Sequence, residues 1–361
     1  MRRKNQYKKI ICMMAYALTL LFAVSILGGC GKVAEDTQTA YQEPDLITVG
    51  FSQVGAESDW RVANTESFRK TMTRNNGVDF MFDDAQQKQE KQIIAIRNFV
   101  QQEVDYIVLA PVMETGWDTV LQEANDADIP VIIVDRMVDV EDVSLYKAWI
   151  GSDFKREGKI ACEWLNKFTI AKGIAPENIN IVDIQGTEGA TSQIGRTNGL
   201  TEAANQYGWN ILAMESADYA QTKGKEVVAN LLKEYDNINV VYCENDNEAM
   251  GAIEAIEEAG KKPGTDIENG EILIISFDAA HSGLSQVLAG KIALDVECNP
   301  LQGKEVLNVI NAIENGEEYN KYTYINESIF ALDDTVKSVN VDDTNYDITI
   351  VTEDIMNSRE Y

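Results

Sequence analysis

From position 46 onward, short apolar runs rich in β-branched residues alternate with longer segments of helical period. This alternation constrains the fold more than any other feature of the chain. The runs are "LITVGFS", "VDFMFDD", "YIVLAP", "PVIIVD", "INIVDIQG", "NILAMES", "VVYCEN" and "ILIISFD". Between them lie amphipathic stretches such as "TESFRKTMTRNN", "EKQIIAIRNFVQQ", "REGKIACEWLNKF" and "GKEVVANLLKEYD". Strands that are apolar almost throughout are buried on both faces, so the pattern predicts parallel sheets covered by helices, an α/β protein. A single sheet of eight or more such units would be large. Two doubly wound lobes are expected instead, and 361 residues suffice for two cores.

In doubly wound sheets a ligand sits beyond the carboxyl ends of the strands, so the residues just after each run are the informative ones. After the first run come Ser52, Gln53, Glu57, Ser58, Trp60 and Arg61; after the second, Asp84, Gln86 and Gln87; after the third, Ala110 and Pro111; after the fourth, Asp135 and Arg136. The second half offers Gln185, Gly186 and Thr187 with Arg196 nearby, then Asp218 and Tyr219, Glu244 to Asp246, and Phe277 and Asp278. A G-x-x-x-x-G-K-[ST] loop and a strand–G-x-G-x-x-G–helix element are both missing from the sequence, so phosphate cradling lacks its glycines. Planar Asp, Asn, Gln and Arg groups match vicinal hydroxyl pairs, while Trp and Tyr stack on C–H faces. A neutral polyhydroxylated molecule fits this mixture. Adjacent strand residues point to opposite faces, so Asp135 and Arg136 can face one ligand only if their strand has already ended. Asp246 reads as an N-cap of the following helix, and Gln86 and Gln87 as supporting amides behind the ligand groups.

The charge balance limits the partners. With 31 Lys+Arg against 59 Asp+Glu, spread along the chain, the formal net charge is -28, which repels nucleic acid and anionic membrane surfaces. The N-terminus carries a basic stretch, "MRRKNQYKK", then the apolar "IICMMAYALTLLFAVSIL" and "LGGC" ending in Cys30, the order of a secretory signal. Gly28 and Gly29 before Cys30 resemble a bacterial lipobox. Residues 1–29 are therefore expected to be a signal peptide, Cys30 the lipidated residue and 30–45 a tether on the outer face of the cytoplasmic membrane. Outside the leader, Cys162, Cys243 and Cys298 lack metal spacing and are expected to be buried free thiols. No metal or cofactor is expected.

Read in order, "VGFSQVGAESDWR", "DDAQQKQEKQI", "LAPVMETGW", "IPVIIVDR", "DIQGTEGATSQIGRTNG", "SADYAQTKGKEV" and "YCENDNEAMGAIEAI" resemble the ribose/galactose group of bacterial sugar-binding proteins that serve ABC transporters, and most of all its galactofuranose-binding branch. The resemblance implies the periplasmic binding protein type I fold: two Rossmann-like doubly wound lobes joined by a three-crossing hinge, closing on a sugar. The lobes are then expected at 46–152 plus 299–325 and at 153–298 plus 326–361. Matched positions imply ligand groups at Glu57, Ser58, Trp60, Arg61, Asp135, Arg136, Arg196, Tyr219, Asn245 and Asp278. Glu297 is added at the last crossing, where ribose binders carry a Gln, and Ala110 stands where they carry an Asn; both departures argue against ribose. The implied partners are a monosaccharide and an ABC permease, and the implied state is a monomer. A sensory module that presents its sugar-loaded state to a membrane kinase or chemoreceptor would use the same fold and site.

An enzyme is not expected. His281 is the only histidine, leaving nucleophilic triads dependent on it alone. Carboxylates such as Asp135, Asp278 or Glu57 could form a glycosidase pair, but neighbouring arginines are expected to hold their pKa too low for a general acid.

Overall fold

A computed structural model describes residues 45–361. The leader, Cys30 and the tether lie outside the described residues. The eight apolar runs form β1 (Ile47–Gln53), β2 (Val78–Asp84), β3 (Tyr106–Leu109), β4 (Val131–Val134), β6 (Asn180–Gln185), β7 (Asn210–Ser216), β8 (Val240–Cys243) and β10 (Glu271–Asp278). Others join them: β5 (Ala148–Gly151), the two-residue β9 (Lys262–Pro263), β11 (Leu294–Glu297), β12 (Tyr322–Tyr324), β13 (Ile329–Ala331), β14 (Ser338–Val341), β15 (Thr344–Asp347) and β16 (Thr349–Ile350).

One sheet runs β12-β5-β4-β3-β1-β2 and the other β16-β13-β11-β10-β8-β6-β7, with β9 beside β10. All pairs of the first sheet are parallel, for example Phe51 opposite Phe82 on one side and Val108 on the other. In the second, only β13 against β11 is antiparallel among the paired strands. This is the α/β architecture expected from the alternation of strands and helices.

Period-two alternation along each strand feeds two cores per sheet. In β8, Val240 and Tyr242 pack into one apolar cluster and Val241 and Cys243 into the other; in β10, Leu273, Ile275 and Phe277 face opposite to Ile272 and Ile274. The first sheet divides likewise, with Val108, Ile132 and Ile150 on one face and Ile107, Ile133 and Trp149 on the other. Helices Phe154–Lys172 and Thr191–Tyr207 cross closely because Gly158 and Gly199 meet there. A Cβ on Gly199 would lie 2.8 Å from the Gly158 backbone.

The chain passes between the sheets three times: from β5 through Ser152 into helix Phe154–Lys172, from β11 through Cys298 into helix Gly303–Asn315, and from β12 through Glu327 into β13. These passages converge. The Ser152 hydroxyl lies 3.4 Å from the Cys298 sulfur and donates to Glu327, which also accepts from the Asn299 amide at 3.3 Å. Residues 336–361, to which the sequence assigns no role, form the β14–β15 hairpin, β16 and helix Glu353–Ser358. The hairpin buries Val339 and Val341 in the core cluster that contains Ile160 and Trp164 of helix Phe154–Lys172.

Candidate functional site

Carboxyl ends of both sheets and the starts of several helices surround one small polar cavity. Its lining includes Glu57, Ser58, Trp60, Arg61, Asp135, Arg136, Arg196, Tyr219, Asn245 and Asp278, so ten side chains singled out from the sequence meet in one place. Phe154, Ser192 and Cys298 complete the lining.

Local structure explains how each group arrives. Ser58 caps helix Asp59–Thr71 by accepting the Arg61 amide at 3.1 Å, which puts Trp60 and Arg61 in the first turn, beside the cavity. β4 ends at Val134 and Asp135 has φ +61°, so the strand stops before the pair and both Asp135 and Arg136 reach the cavity. Tyr219 (φ +62°), after β7, and Asp278 (φ +108°), the last residue of β10, likewise have positive φ. The N-cap of helix Asp246–Glu258 is Asn245, whose Oδ1 accepts the Glu248 amide at 2.8 Å. The expected cap, Asp246, is instead buried one residue further on, accepting from Ser276 Oγ at 2.6 Å and the Ala280 amide at 2.8 Å.

Three arginines dominate the electrostatics. Arg61 lies 3.0 Å from Glu57 and 2.8 Å from Asp135, and also donates to Gln53 at 3.2 Å. Burial alone would lower its pKa, but Asp135 and Glu57 outweigh it and raise the value. Arg136 donates to the Val112 carbonyl at 2.9 Å, and its guanidinium lies 5.2 Å from the Tyr219 ring centre, across from the first sheet. Burial, then the neighbouring Arg61, lowers its pKa. Arg196 pairs with Glu157 at 2.8 Å and approaches Asp278 at 3.8 Å. At Asp278 burial outweighs Arg196 and pushes the carboxyl well above the usual range, contrary to the expectation that a neighbouring arginine holds it low.

Apolar surface faces these charges. Trp60, Phe154 and Cys298 form a small buried cluster, and Trp60 Nε1 donates to the Cys298 carbonyl at 2.6 Å. Ser192 Oγ and Tyr219 OH are 2.7 Å apart on the opposite wall. Two buried polar atoms of the lining have no hydrogen-bond partner among the described residues, Glu57 Oε2 and Arg136 Nε, the latter 3.9 Å from Asp135. The arrangement can therefore bind a small molecule that both donates and accepts and has an apolar face for Trp60 and Phe154.

Glu297 departs from its expected place. Alternation along β11 turns its carboxylate away from the cavity, where it accepts from Arg359 at 2.7 Å and the Ser328 amide at 2.6 Å; Cys298, the next residue, lines the cavity instead. Gln86 and Gln87 stand outside the lining, at φ +53° and +59° in the turn after β2. The sequence signal for Ser192 lay inside "GATSQIGRTNG", but nothing there separated it from its neighbours. Phe154 follows a crossing that no apolar run announced. Cys162, Cys243 and Cys298 are free and buried. Among the described residues no helix is long and apolar enough to cross a membrane.

Comparison with known proteins agrees with this geometry. Residues 49–318 match the family described as periplasmic binding protein domain. The galactofuranose-binding protein YtfQ of Escherichia coli is 39% identical over 81% of this chain and 89% of its own length. The fructose import binding protein FruE of Bifidobacterium longum is 31% identical over 90% and 95%. A Mycobacterium smegmatis protein solved in complex with β-D-fucofuranose superposes with TM-score 0.75 at 42% identity, covering 80% of this chain and 92% of that one. The arabinose ABC-transporter binding component of Shewanella sp. ANA-3, bound to α- and β-L-arabinofuranose, gives 0.74 at 39% identity, covering 80% and 93%. These relatives are solute-binding proteins rather than enzymes, and with two mainly parallel sheets meeting around a polar cavity the present chain belongs to the periplasmic binding protein family.

Proposed function

We propose that this chain is the extracytoplasmic solute-binding lipoprotein of an ABC importer and that it binds one monosaccharide in furanose form, galactofuranose or a related furanose or pentose. The observation that carries the reading is the pair of buried atoms without a hydrogen-bond partner among the described residues, Glu57 Oε2 and Arg136 Nε, in a cavity that also presents Trp60 and Phe154. One accepts and the other donates, as a hydroxylated ring requires, and each would cost about 1–3 kcal/mol if left desolvated and unpaired. Three relatives whose names carry galactofuranose, fucofuranose and arabinofuranose support the ring form. The moving bodies are residues 46–152 plus 299–325 and 153–298 plus 326–361, acting as a monomer anchored through lipid on Cys30.

Calorimetry of the purified protein against galactofuranose, arabinofuranose and fucofuranose glycosides, beside their pyranose counterparts, tests the reading. Tight binding confined to the furanosides is expected. Equal or exclusive binding of pyranosides sinks the ring-form assignment, and no binding of either sinks the sugar reading. For the anchor, Cys30→Ala is expected to abolish lipid labelling; unchanged labelling removes Cys30 from that role.

A further inference from the structure

The wall behind Asp278 is held from an unexpected quarter. Helix Glu353–Ser358, capped by Thr352, delivers Arg359 and Tyr361 to the carboxyl ends of β10 and β11. Arg359 Nη2 donates to the Ala279 carbonyl at 3.1 Å and to Glu297 Oε1 at 2.7 Å. The Tyr361 hydroxyl joins both Arg359 and Glu297, and its main-chain oxygen accepts the His281 amide at 3.0 Å. The guanidinium is sandwiched between the rings of Tyr361 and Phe330, at 4.4 and 5.2 Å.

These contacts bear on strained backbone at the cavity. Asp278 at φ +108° and Ala279 at φ +52° are consecutive non-glycine residues with positive φ, a conformation that persists only where the surroundings fix it. The fixing bonds are the Ala279 amide to Asp295 at 3.0 Å, the Ala280 amide to Asp246 at 2.8 Å, and the two bonds from Arg359 and Tyr361. Two of these four bonds come from residues 359–361, outside the segment that matches the family pattern. The same two side chains hold Glu297, the residue before Cys298 in the second passage between the sheets.

We infer that Arg359 and Tyr361 are positioning residues for ligand binding: they hold the Asp278–His281 turn so that the Asp278 carboxyl group stays beside Arg196 in the cavity. This role rests on the sugar-binding reading above. A purely structural role would lower the melting temperature of every form of the protein alike, whereas positioning weakens the ligand complex selectively. The test combines hydrogen exchange of the ligand-free protein with calorimetry, on wild type, Arg359→Ala, Arg359→Lys and Tyr361→Phe. In Arg359→Ala, amide protection at Ala279 to His281 is expected to fall, and affinity for the furanoside bound by wild type to fall about tenfold. Arg359→Lys, which keeps one donor, recovers part of both; Tyr361→Phe, which keeps the main-chain acceptor, loses less. Unchanged protection in Arg359→Ala overturns the proposal without reference to any ligand. Lost protection with wild-type affinity, or an affinity loss matched by an equal loss of ligand-free stability that lysine does not relieve, also overturns it. A wild type that binds no furanoside overturns the sugar reading and, with it, the role in binding, while the exchange data still report whether residues 359–361 hold the turn.

Discussion

Arg61, in the first turn of helix Asp59–Thr71, and Asp135, just past β4, lie 2.8 Å apart, each side chain almost wholly buried. Removing one member of such a pair leaves the other charged and desolvated, which typically costs about 3–5 kcal/mol. Arg61 keeps Glu57 at 3.0 Å, so Asp135→Ala is expected at the lower end, about 3 kcal/mol, together with loss of sugar binding. Urea unfolding and calorimetry on the same protein check both. An unaltered unfolding midpoint would mean that the pair contributes nothing net.

Trp60 serves the cavity and the packing together, since its ring lines the cavity while its Nε1 donates to the Cys298 carbonyl. Trp60→Ala is expected to weaken binding by at least about 2 kcal/mol, roughly thirtyfold, and to lower the melting temperature as well. Trp60→Phe keeps an aromatic face but loses the donor, and its affinity should fall between the two. Full affinity in a destabilised alanine variant would assign Trp60 to the core alone.

Gly186 follows β6 directly, and a Cβ there would lie 1.8 Å from the Tyr219 ring. Gly186→Ala is expected to displace Tyr219 from Ser192 and from the Arg136 guanidinium, with an affinity loss of about tenfold or more. A crystal structure of the variant shows whether the ring moves. Tyr219 in its original place with full affinity defeats the prediction.

Contacts across the mouth of the cavity bring the lobes together: Ser282 Oγ donates to Asp59 at 2.8 Å, the Asp59 amide to Asn247 at 3.0 Å, and the Glu114 amide to the Gly189 carbonyl at 3.0 Å. A sugar that touches both lobes favours this arrangement over an open one. Small-angle scattering is expected to show a smaller radius of gyration at saturating sugar. The same radius with and without sugar would contradict hinge closure.

Asp183, buried in β6, has its pKa pushed up to about 8 by desolvation, against the opposing hydrogen bonds of Thr197 and Gln185. A carboxyl whose folded value lies above its unfolded value of about 3.9 stabilises the fold fully below that lower value. This stabilisation is lost as pH rises through about 8. Stability should therefore decline from pH 5 to 8, by up to about 1.4 kcal/mol per pH unit from this group. Asp183→Asn should flatten the decline without removing it, because burial also raises Glu244, Glu248 and Asp295. Thermal melts across that range decide; an identical slope in the variant means that Asp183 is ionised in the folded protein.

What the sequence disclosed follows from where the information is local. The eight long apolar runs are all strands: the central ones are buried on both faces and need apolar residues throughout, while β2 and β7 at the sheet edges are only partly buried. Ligand groups were legible because doubly wound sheets present strand ends, and Trp60, Arg61, Asp135 and Arg136 all stand there. β11 escaped notice because it reads Leu294-Asp295-Val296-Glu297; its two buried carboxylates are matched by the distant Ala279 amide and by Arg359, which no local pattern reveals. The facing of Glu297 and Cys298 depended on the same hidden strand. Asn245 lost the capping role to Asp246 in the sequence reading because both residue types cap well, and only the backbone turn distinguishes them.

The order in which the chain is made bears on its first lobe. β5 gains its outer neighbour only when Tyr322–Tyr324 is added as β12, and Val306 and Ile310 of helix Gly303–Asn315 belong to the core behind β1 and β3. A nascent chain that has emerged only as far as Gly151 therefore has an unpaired sheet edge and an uncovered apolar face, the combination most prone to pairing with another chain. The first lobe to be synthesised is thus finished only after Tyr322–Tyr324 has been made, and its sheet edge stays open while most of the second lobe emerges.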